Sequence, residues 1–355
     1  METKEQRETV IFHGGCMDGL FAAYLYDLSC HDSTSESKLT LTCGDKPVIR
    51  TYVPTFHKTA TNIDIPNEGI VTYIDICPSI NEAKQLIANP AIIRINIIDH
   101  HLTSKPTIDF LSDYIKSSEL QSRVFVIYNY ENTECATMLI HKWLPKHLQS
   151  EKIAQIATVI DDRDRWVWTD PRSRAIGTYM FQEMKMPGNH KYTLETFELI
   201  TKMFVGKGSM PIDDMYEHGN IYEKYAAKIV TQLCSPWLSK FGTLTTPSGR
   251  TYKVVHTPTR FMASEVANTM LIRYAAHVDL AMCWYYDTDK DEFWLSFRSD
   301  DKHADTSVIS KEFGGGGHRN ASGCTMRGPF SSVITPLAID IPKQENDNVN
   351  ISVNT

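Results

Sequence analysis

Through the first half of the chain, short β-branched apolar runs alternate with segments of helical spacing, and each run ends in acidic, imidazole or thiol side chains. Thr9-Val10-Ile11-Phe12 leads into His13-Gly14-Gly15-Cys16-Met17-Asp18-Gly19, followed by the helical spacing of Leu20 to Leu25. Ile70 to Ile74 runs into Asp75 and a helical segment through Glu82 to Ile87, and Ile92 to Ile98 runs into Asp99-His100-His101. Val124 to Ile127 adds a strand, and Glu134 to Leu144 and Glu151 to Ile160 read as helices, the second ending in Asp161-Asp162. Such alternation predicts an α/β fold with a mostly parallel sheet and helices on both faces.

At 355 residues the chain is longer than the roughly 250 to 300 at which single cores stop growing. Residues 1–200 are therefore expected to form the larger α/β domain. Residues 201–245 read as a helical connector, broken at Gly206 to Pro211. Residues 246–340 read as a smaller α/β domain: a strand at Tyr252 to Val255, a helix at Ser264 to Leu271, and a hairpin of Val278 to Tyr286 with Glu292 to Arg298. Residues 341–355 are polar and Asn-rich and are expected to form a loose tail.

Hydrophobic residues at 42% and charged residues at 22% exclude the disordered and fibrous classes. A net charge of -7 argues against a broad basic face for long duplex nucleic acid and favours short phosphorylated partners held by a local pocket and bound cations. The eight cysteines (Cys16, Cys30, Cys43, Cys77, Cys135, Cys234, Cys283 and Cys324) form no C-x-x-C pair and read as reduced thiols. Met1 to Glu8 lacks a signal-peptide core, and no run of roughly 18 apolar residues occurs, so a cytoplasmic location without a membrane partner is expected.

Ligands of open parallel sheets gather at the carboxyl ends of strands, where several loops converge on one rigid edge. Asp18 and Asp75 each precede a helical segment and are equally suited to cap it. Their conjunction with the other blocks points instead to a pair of divalent ions. Two imidazoles directly after a buried strand, as in His100-His101, would be costly to keep dry without partners. Imidazole plus carboxylate donors suit manganese, the leading expectation, and also magnesium, cobalt, iron or zinc. Late in the chain, Gly314-Gly315-Gly316-Gly317-His318 offers backbone amides that can approach a phosphate closely.

The order of these blocks, with Asp99-His100-His101 as the third, resembles the catalytic domain of the DHH phosphoesterase superfamily. That superfamily includes RecJ-like nucleases, nanoRNases, cyclic-dinucleotide phosphodiesterases, exopolyphosphatases and manganese pyrophosphatases. The second half, with Phe297-Arg298-Ser299 and Phe313 to Gly323, resembles the DHH-associated domain. The resemblance implies that His13 binds a first metal, that Asp75 bridges both metals, and that Asp18, His100 and Asp162 hold the second. Asp162 is preferred to Asp161 for its spacing to Trp166, with Asp164 or Arg165 assisting nearby. His101 would sit beside the scissile phosphate, with Asp75 and Asp99 completing the catalytic set. Arg298, Ser299, Gly314, Gly315, Gly316, Gly317 and His318 would bind substrate between the domains.

Cys16 stands where the family carries an aspartate. As a ligand it would favour zinc or iron over magnesium; alternatively it is a small packed residue behind the metals. The expected activity is a two-metal phosphodiesterase acting on short oligonucleotides or small cyclic dinucleotides, as a monomer or homodimer. A phosphomonoesterase or exopolyphosphatase acting on pAp or polyphosphate is one alternative. A non-catalytic nucleotide-binding scaffold is the other.

Overall fold

The computed structural model describes residues 6–31, 48–55, 66–116, 122–184 and 194–338. The chain divides into two compact units, Met1–Tyr222 and Glu223–Thr355.

In the first unit the strands are β1 (Gln6–His13), β2 (Val48–Thr55), β3 (Gly69–Ile74), β4 (Ile92–Asp99) and β5 (Val124–Tyr128). They form one sheet in the order β2-β1-β3-β4-β5, and every pairing is parallel. The helices are α1 (Met17–Cys30), α2 (Ile80–Ala88), α3 (Lys105–Lys116), α4 (Ala136–Trp143), α5 (Glu151–Arg165), α6 (Ser173–Glu183) and α7 (Leu194–Ile200). Alternate strand residues face opposite sides of a sheet, so each strand serves two cores. Val10, Phe12, Ile74, Ile98 and Ile127 pack under α1, α4, α5, α6 and α7. Ile11, Val71, Tyr73, Ile95 and Ile97 pack under α2 and α3.

The strand order places β1 between β2 and β3, so the chain leaves β1 toward one side and returns to its other side. This is the switch point at which crevices open at the carboxyl ends of strands. β1 ends at His13, β3 at Ile74 just before Asp75, and β4 at Asp99. The polar blocks therefore come to one edge because the sheet topology delivers them there.

Helix α8 (Ile212–Leu233) contains the division between the units. The second unit continues with β6 (Lys240–Thr245), β7 (Thr251–Pro258), α9 (Ala263–Tyr274), β8 (Leu280–Asp287), β9 (Glu292–Arg298), α10 (Thr306–Glu312), β10 (Gly316–Gly317), β11 (Ala321–Met326) and β12 (Ile334–Pro336). These strands form a sheet in the order β10-β11-β9-β8-β7-β6-β12, with β7 and β8 parallel and β8 and β9 an antiparallel hairpin. One face packs Val266, Ala267, Met270 and Leu271 of α9. The other packs Ile309 of α10 against Leu280, Met282, Leu295 and Phe297.

The stretch 201–245, expected as a helical connector, has no core of its own. Phe204 and Met215 are buried in the first unit, Val230 and Cys234 are buried in the second, and Lys240–Thr245 is a strand. The larger unit accordingly extends to residue 222 and not 200. The expected tail at 341–355 and Cys43 lie outside the described residues. Among the described residues, the remaining cysteines are free thiols, and no helix is long and apolar enough to cross a membrane.

Candidate metal centre

The loop from β1 to α1 is shaped by its glycines. Gly14 donates its N–H to the Thr55 carbonyl at 2.8 Å, and Gly15 turns the chain at φ 74°. A Cβ at Gly19 would lie 2.3 Å from the His13 carbonyl oxygen, so only glycine lets α1 start this close to the end of β1. Cys16 is the N-cap of α1 and Asp18 lies in its first turn. His13, Cys16 and Asp18 thus come from one six-residue segment, the first two beside Asp75 and the third beside His100 and Asp164.

Asp75 takes a left-handed backbone, φ 58°, directly after β3. A non-glycine residue held there stores strain of about 1–3 kcal/mol, which the surrounding structure must compensate. The conformation turns its carboxylate across the edge of the sheet. Oδ2 meets His13 Nδ1 at 3.1 Å, and Oδ1 meets His100 Nε2 at 3.2 Å. Each oxygen of Asp75 therefore serves a different donor group. His13, Cys16 and Asp75 offer ligand atoms within 4.8 Å of one another, as do Asp18, His100 and Asp164. His100 Nε2 is 3.5 Å from Asp18 Oδ2 and 3.5 Å from Asp164 Oδ2.

Residues behind the cluster hold it in place. The N-terminus of α4 donates the Ala136 and Thr137 N–H groups to Asp18 at 2.8 and 2.7 Å. Asp18 thus caps a helix 118 residues away in sequence and not its own. Asn132, itself at φ 51°, places Oδ1 2.9 Å from His100 Nδ1. With Nδ1–H donated to that oxygen, Nε2 is the nitrogen left facing the carboxylates.

Asp99 Oδ1 accepts from the His100 and His101 backbone N–H groups at 2.8 and 3.2 Å and lies 2.7 Å from His101 Nδ1. Its Oδ2 accepts from the Ser104 hydroxyl. Asp99, expected in the catalytic set, holds the His101 ring through Oδ1, and with Asp75, His100 and His101 it offers ligand atoms within 4.8 Å of one another. The Tyr128 hydroxyl holds the His101 carbonyl at 2.9 Å.

Asp18, Asp75, Asp99 and His100 are each no more than 1% exposed, so their charges cannot be screened by water. Burial, with the nearby Asp75 charge, pushes the Asp18 carboxyl up to about 6. Burial pushes Asp164 up to about 7, with Asp18 and Asp75 adding to the shift and His100 opposing it. Burial also opposes ionisation of Asp75, but hydrogen bonds from His100 and His13 outweigh it and hold Asp75 well below the usual range. Burial disfavours charged His100, yet Asp75, Asp164 and Asp18 raise its pKa well above the ordinary value. Burial, then Asp75, Asp164 and Asp18, push the Cys16 thiol far up. The pocket crowds more anionic groups than its imidazoles can neutralise. Buried and half-buried oxygen, nitrogen and sulfur donors with excess negative charge fit divalent cations.

Asp162, expected as a ligand, is not in the cluster. Its carboxylate accepts from the Asp170 N–H at 2.9 Å, the Ser173 hydroxyl at 2.6 Å and the Thr169 hydroxyl, which fixes the turn from α5 into α6. Asp161 accepts from the Cys135 N–H at 2.7 Å and pairs with Arg165. Asp164 takes the place at the cluster. Asp164 lies one helical turn after Ile160, four residues on, whereas Asp162 continues the equally buried row Ile156 and Val159, so burial along α5 does not by itself separate the two. Asn132 carried no signal in the sequence, because a loop asparagine looks like any turn former.

In the second unit the glycine run has roles in the fold. Gly314, at φ 76°, follows α10, and the Gly314 and Gly315 N–H groups donate to the Lys311 and Ser310 carbonyls at 3.0 and 2.8 Å, a Schellman stop. A Cβ at Gly315 would lie 2.1 Å from the Gly323 carbonyl oxygen, and one at Gly317 2.6 Å from that of Ala321. Gly316 pairs with Gly323 in the sheet. Arg298 donates to the Phe297 carbonyl at 2.7 Å and to the Ser264 hydroxyl. The Ser299 N–H donates to the Asn320 carbonyl at 2.9 Å, and the His318 N–H to the Ala321 carbonyl at 2.8 Å.

No family model matches the chain. It is 23% identical over 349 residues to the uncharacterized protein R106 of Acanthamoeba polyphaga mimivirus, spanning 93% of this chain and 71% of that protein. Among solved structures it is similar to an exopolyphosphatase-related protein from Bacteroides fragilis, with TM-score 0.46, 14% identity, and 92% of this chain and 89% of that one covered. It is also similar to the pGpG-specific phosphodiesterase PggH from Vibrio cholerae, with TM-score 0.40, 12% identity, and 91% and 94% covered.

Proposed function

We propose that the chain is a metal-dependent phosphoesterase of the DHH type that hydrolyses phosphodiester bonds in short oligonucleotides or small cyclic dinucleotides. One observation carries the reading. Asp75 presents one oxygen to the His13 group and the other to the His100 group, which is the arrangement a shared ligand of two cations needs. The ordered blocks of the sequence that resemble the superfamily support it, as does the net charge of -7, which disfavours long polyanions.

His13, Cys16 and Asp75 would hold one ion and Asp18, Asp75, His100 and Asp164 the other, with manganese the leading expectation. Bound divalent ions supply Lewis acidity toward phosphoryl oxygens and a water acidic enough to ionise near neutral pH. The remaining work falls to the chain. Asn132 and the amides of α4 fix the donor atoms of His100 and Asp18, so little reorganisation is needed when substrate arrives. His101, its Nδ1 engaged by Asp99, keeps Nε2 as the nitrogen that can pass a proton to a departing oxygen. Burial around His100 and Asp75 keeps bulk water from competing.

The test is incubation of purified protein with manganese and a panel of di- to pentanucleotides, cyclic dinucleotides, pAp and polyphosphate. Turnover of a phosphodiester, lowered at least roughly a hundredfold in Asp75→Asn, is the expected result. Turnover confined to pAp or polyphosphate would reassign the substrate class. Bound metal with no turnover on any member of the panel would leave a binding protein.

A further inference from the structure

We propose that the two cation positions are chemically unlike and that the working centre is a mixed-metal pair. The inference rests on the two-cation reading above and adds the identity of each occupant. One position is lined by an imidazole nitrogen, a thiol sulfur and a carboxylate oxygen, from His13, Cys16 and Asp75. The other is lined by two carboxylates and one imidazole, from Asp18, Asp164 and His100. Asp75 adjoins both, so the positions differ in the one donor not shared in kind: the sulfur.

Cys16 supplies that sulfur, which the Gly19 backbone N–H also faces. It is the N-cap of α1, yet its side chain makes no capping hydrogen bond, and among the described residues it forms no disulfide. Its backbone, φ -113° and ψ 138°, is ordinary extended chain. The thiol is therefore delivered to the cluster by unstrained local geometry beside a residue, Gly19, that must lack a side chain for the loop to close.

Sulfur donors select borderline and soft ions, whereas carboxylates accept manganese or magnesium. The Cys16 position should take zinc, cobalt(II) or iron(II), and the Asp18 position should take manganese or magnesium. Loss of an outer partner of a metal ligand already costs about 10–100-fold in affinity. Removing the sulfur itself should therefore lower zinc affinity by roughly a hundredfold or more while leaving manganese at the other position nearly unchanged.

The experiment is titration of the chelator-stripped full chain with cobalt(II), read by absorbance and by elemental analysis of bound metal. Two ions per chain are expected to bind. Only one should give a thiolate-to-cobalt charge-transfer band, which zinc removes and manganese does not. In Cys16→Asp, two ions should still bind and the band should be absent, so the variant reports on its own folding. Two bound ions with no thiolate band in the parent protein, or manganese displacing both ions equally, overturns the mixed pair while the two-cation centre stands. Binding of fewer than two ions in both proteins overturns the centre itself.

Discussion

At the scale of the residue, the centre depends on side chains whose task is to aim other side chains. Asn132 accepts from one nitrogen of His100 and so commits the other to the acid cluster. Asn132→Gly keeps the left-handed backbone at φ 51° available while deleting that acceptor. It is expected to weaken divalent-ion binding by about 10–100-fold with little change in melting temperature, and Asn132→Asp should recover part of the loss. Isothermal titration with manganese, alongside thermal melts, checks both; unchanged affinity in the glycine variant would remove Asn132 from the centre. Gly19→Ala tests the loop. Its Cβ would sit 2.3 Å from a backbone oxygen that has no room to yield, so a loss of about 1–3 kcal/mol in denaturant unfolding is expected. His13, Cys16, Asp18, Asp75 and His100 were legible as candidates because each follows or ends an apolar run. Asn132 was not legible, because its meaning lies in a contact 32 residues away.

At the scale of the element, α5 shows how a helix sends neighbouring acids in different directions. Three aspartates within four residues, Asp161, Asp162 and Asp164, go to three different places: the start of α4, the turn before α6, and the acid cluster. Spacing to Trp166 favours Asp162, whereas the helix turns Asp164 toward His100 and Asp162 toward the turn before α6, a difference that burial along the helix does not reveal. Asp164→Asn should therefore lower manganese affinity at least about tenfold. Asp162→Asn should leave affinity unchanged while costing about 1–3 kcal/mol of stability through its unfilled acceptor role. Paired binding and urea-unfolding measurements separate the two, and the reverse pattern would return Asp162 to the centre. The central strands β1, β3 and β4, and β5 at the opposite edge, were legible as apolar runs. β2 was not. It interrupts its apolar residues with Arg50, Thr51 and Pro54 and is half-exposed along its length, so it lacks the continuous apolar run that β5 keeps at the other edge.

At the scale of the whole molecule, two units were legible from length and from the change in pattern after residue 200, but their border was not. α8 is amphipathic across the division and contributes Met215 to one core and Val230 to another, so no linker composition marks the change. Global stability is where the buried centre should be felt. Asp18 and Asp164 are raised to about 6 and about 7 from an ordinary 3.8. In the folded, metal-free protein they keep protons that the unfolded chain releases, so stability falls as pH rises from about 4 through about 7. His100 and His101 are raised as well; the stability they contribute is complete below about 6.5 and is lost as pH climbs through their folded values, which acts in the same direction. Asp75 and Asp99 are lowered, and what they contribute is lost only in acid below about 4. Between pH 5 and 8 the raised groups outnumber His256, lowered to about 4 by burial, and His141, also lowered by burial, which act in the opposite direction. The melting temperature of the chelator-treated protein is therefore expected to fall across that window. Manganese at a hundred times its dissociation constant should add about 2.7 kcal/mol. At one fixed manganese concentration the gain should be larger at pH 8 than at pH 5, because the ligands must be deprotonated to bind. Calorimetric melts at four pH values, with and without the ion, measure both slopes. A metal-free protein that gains stability from pH 5 to 8 would mean that the carboxylates do not crowd one another as this cluster places them.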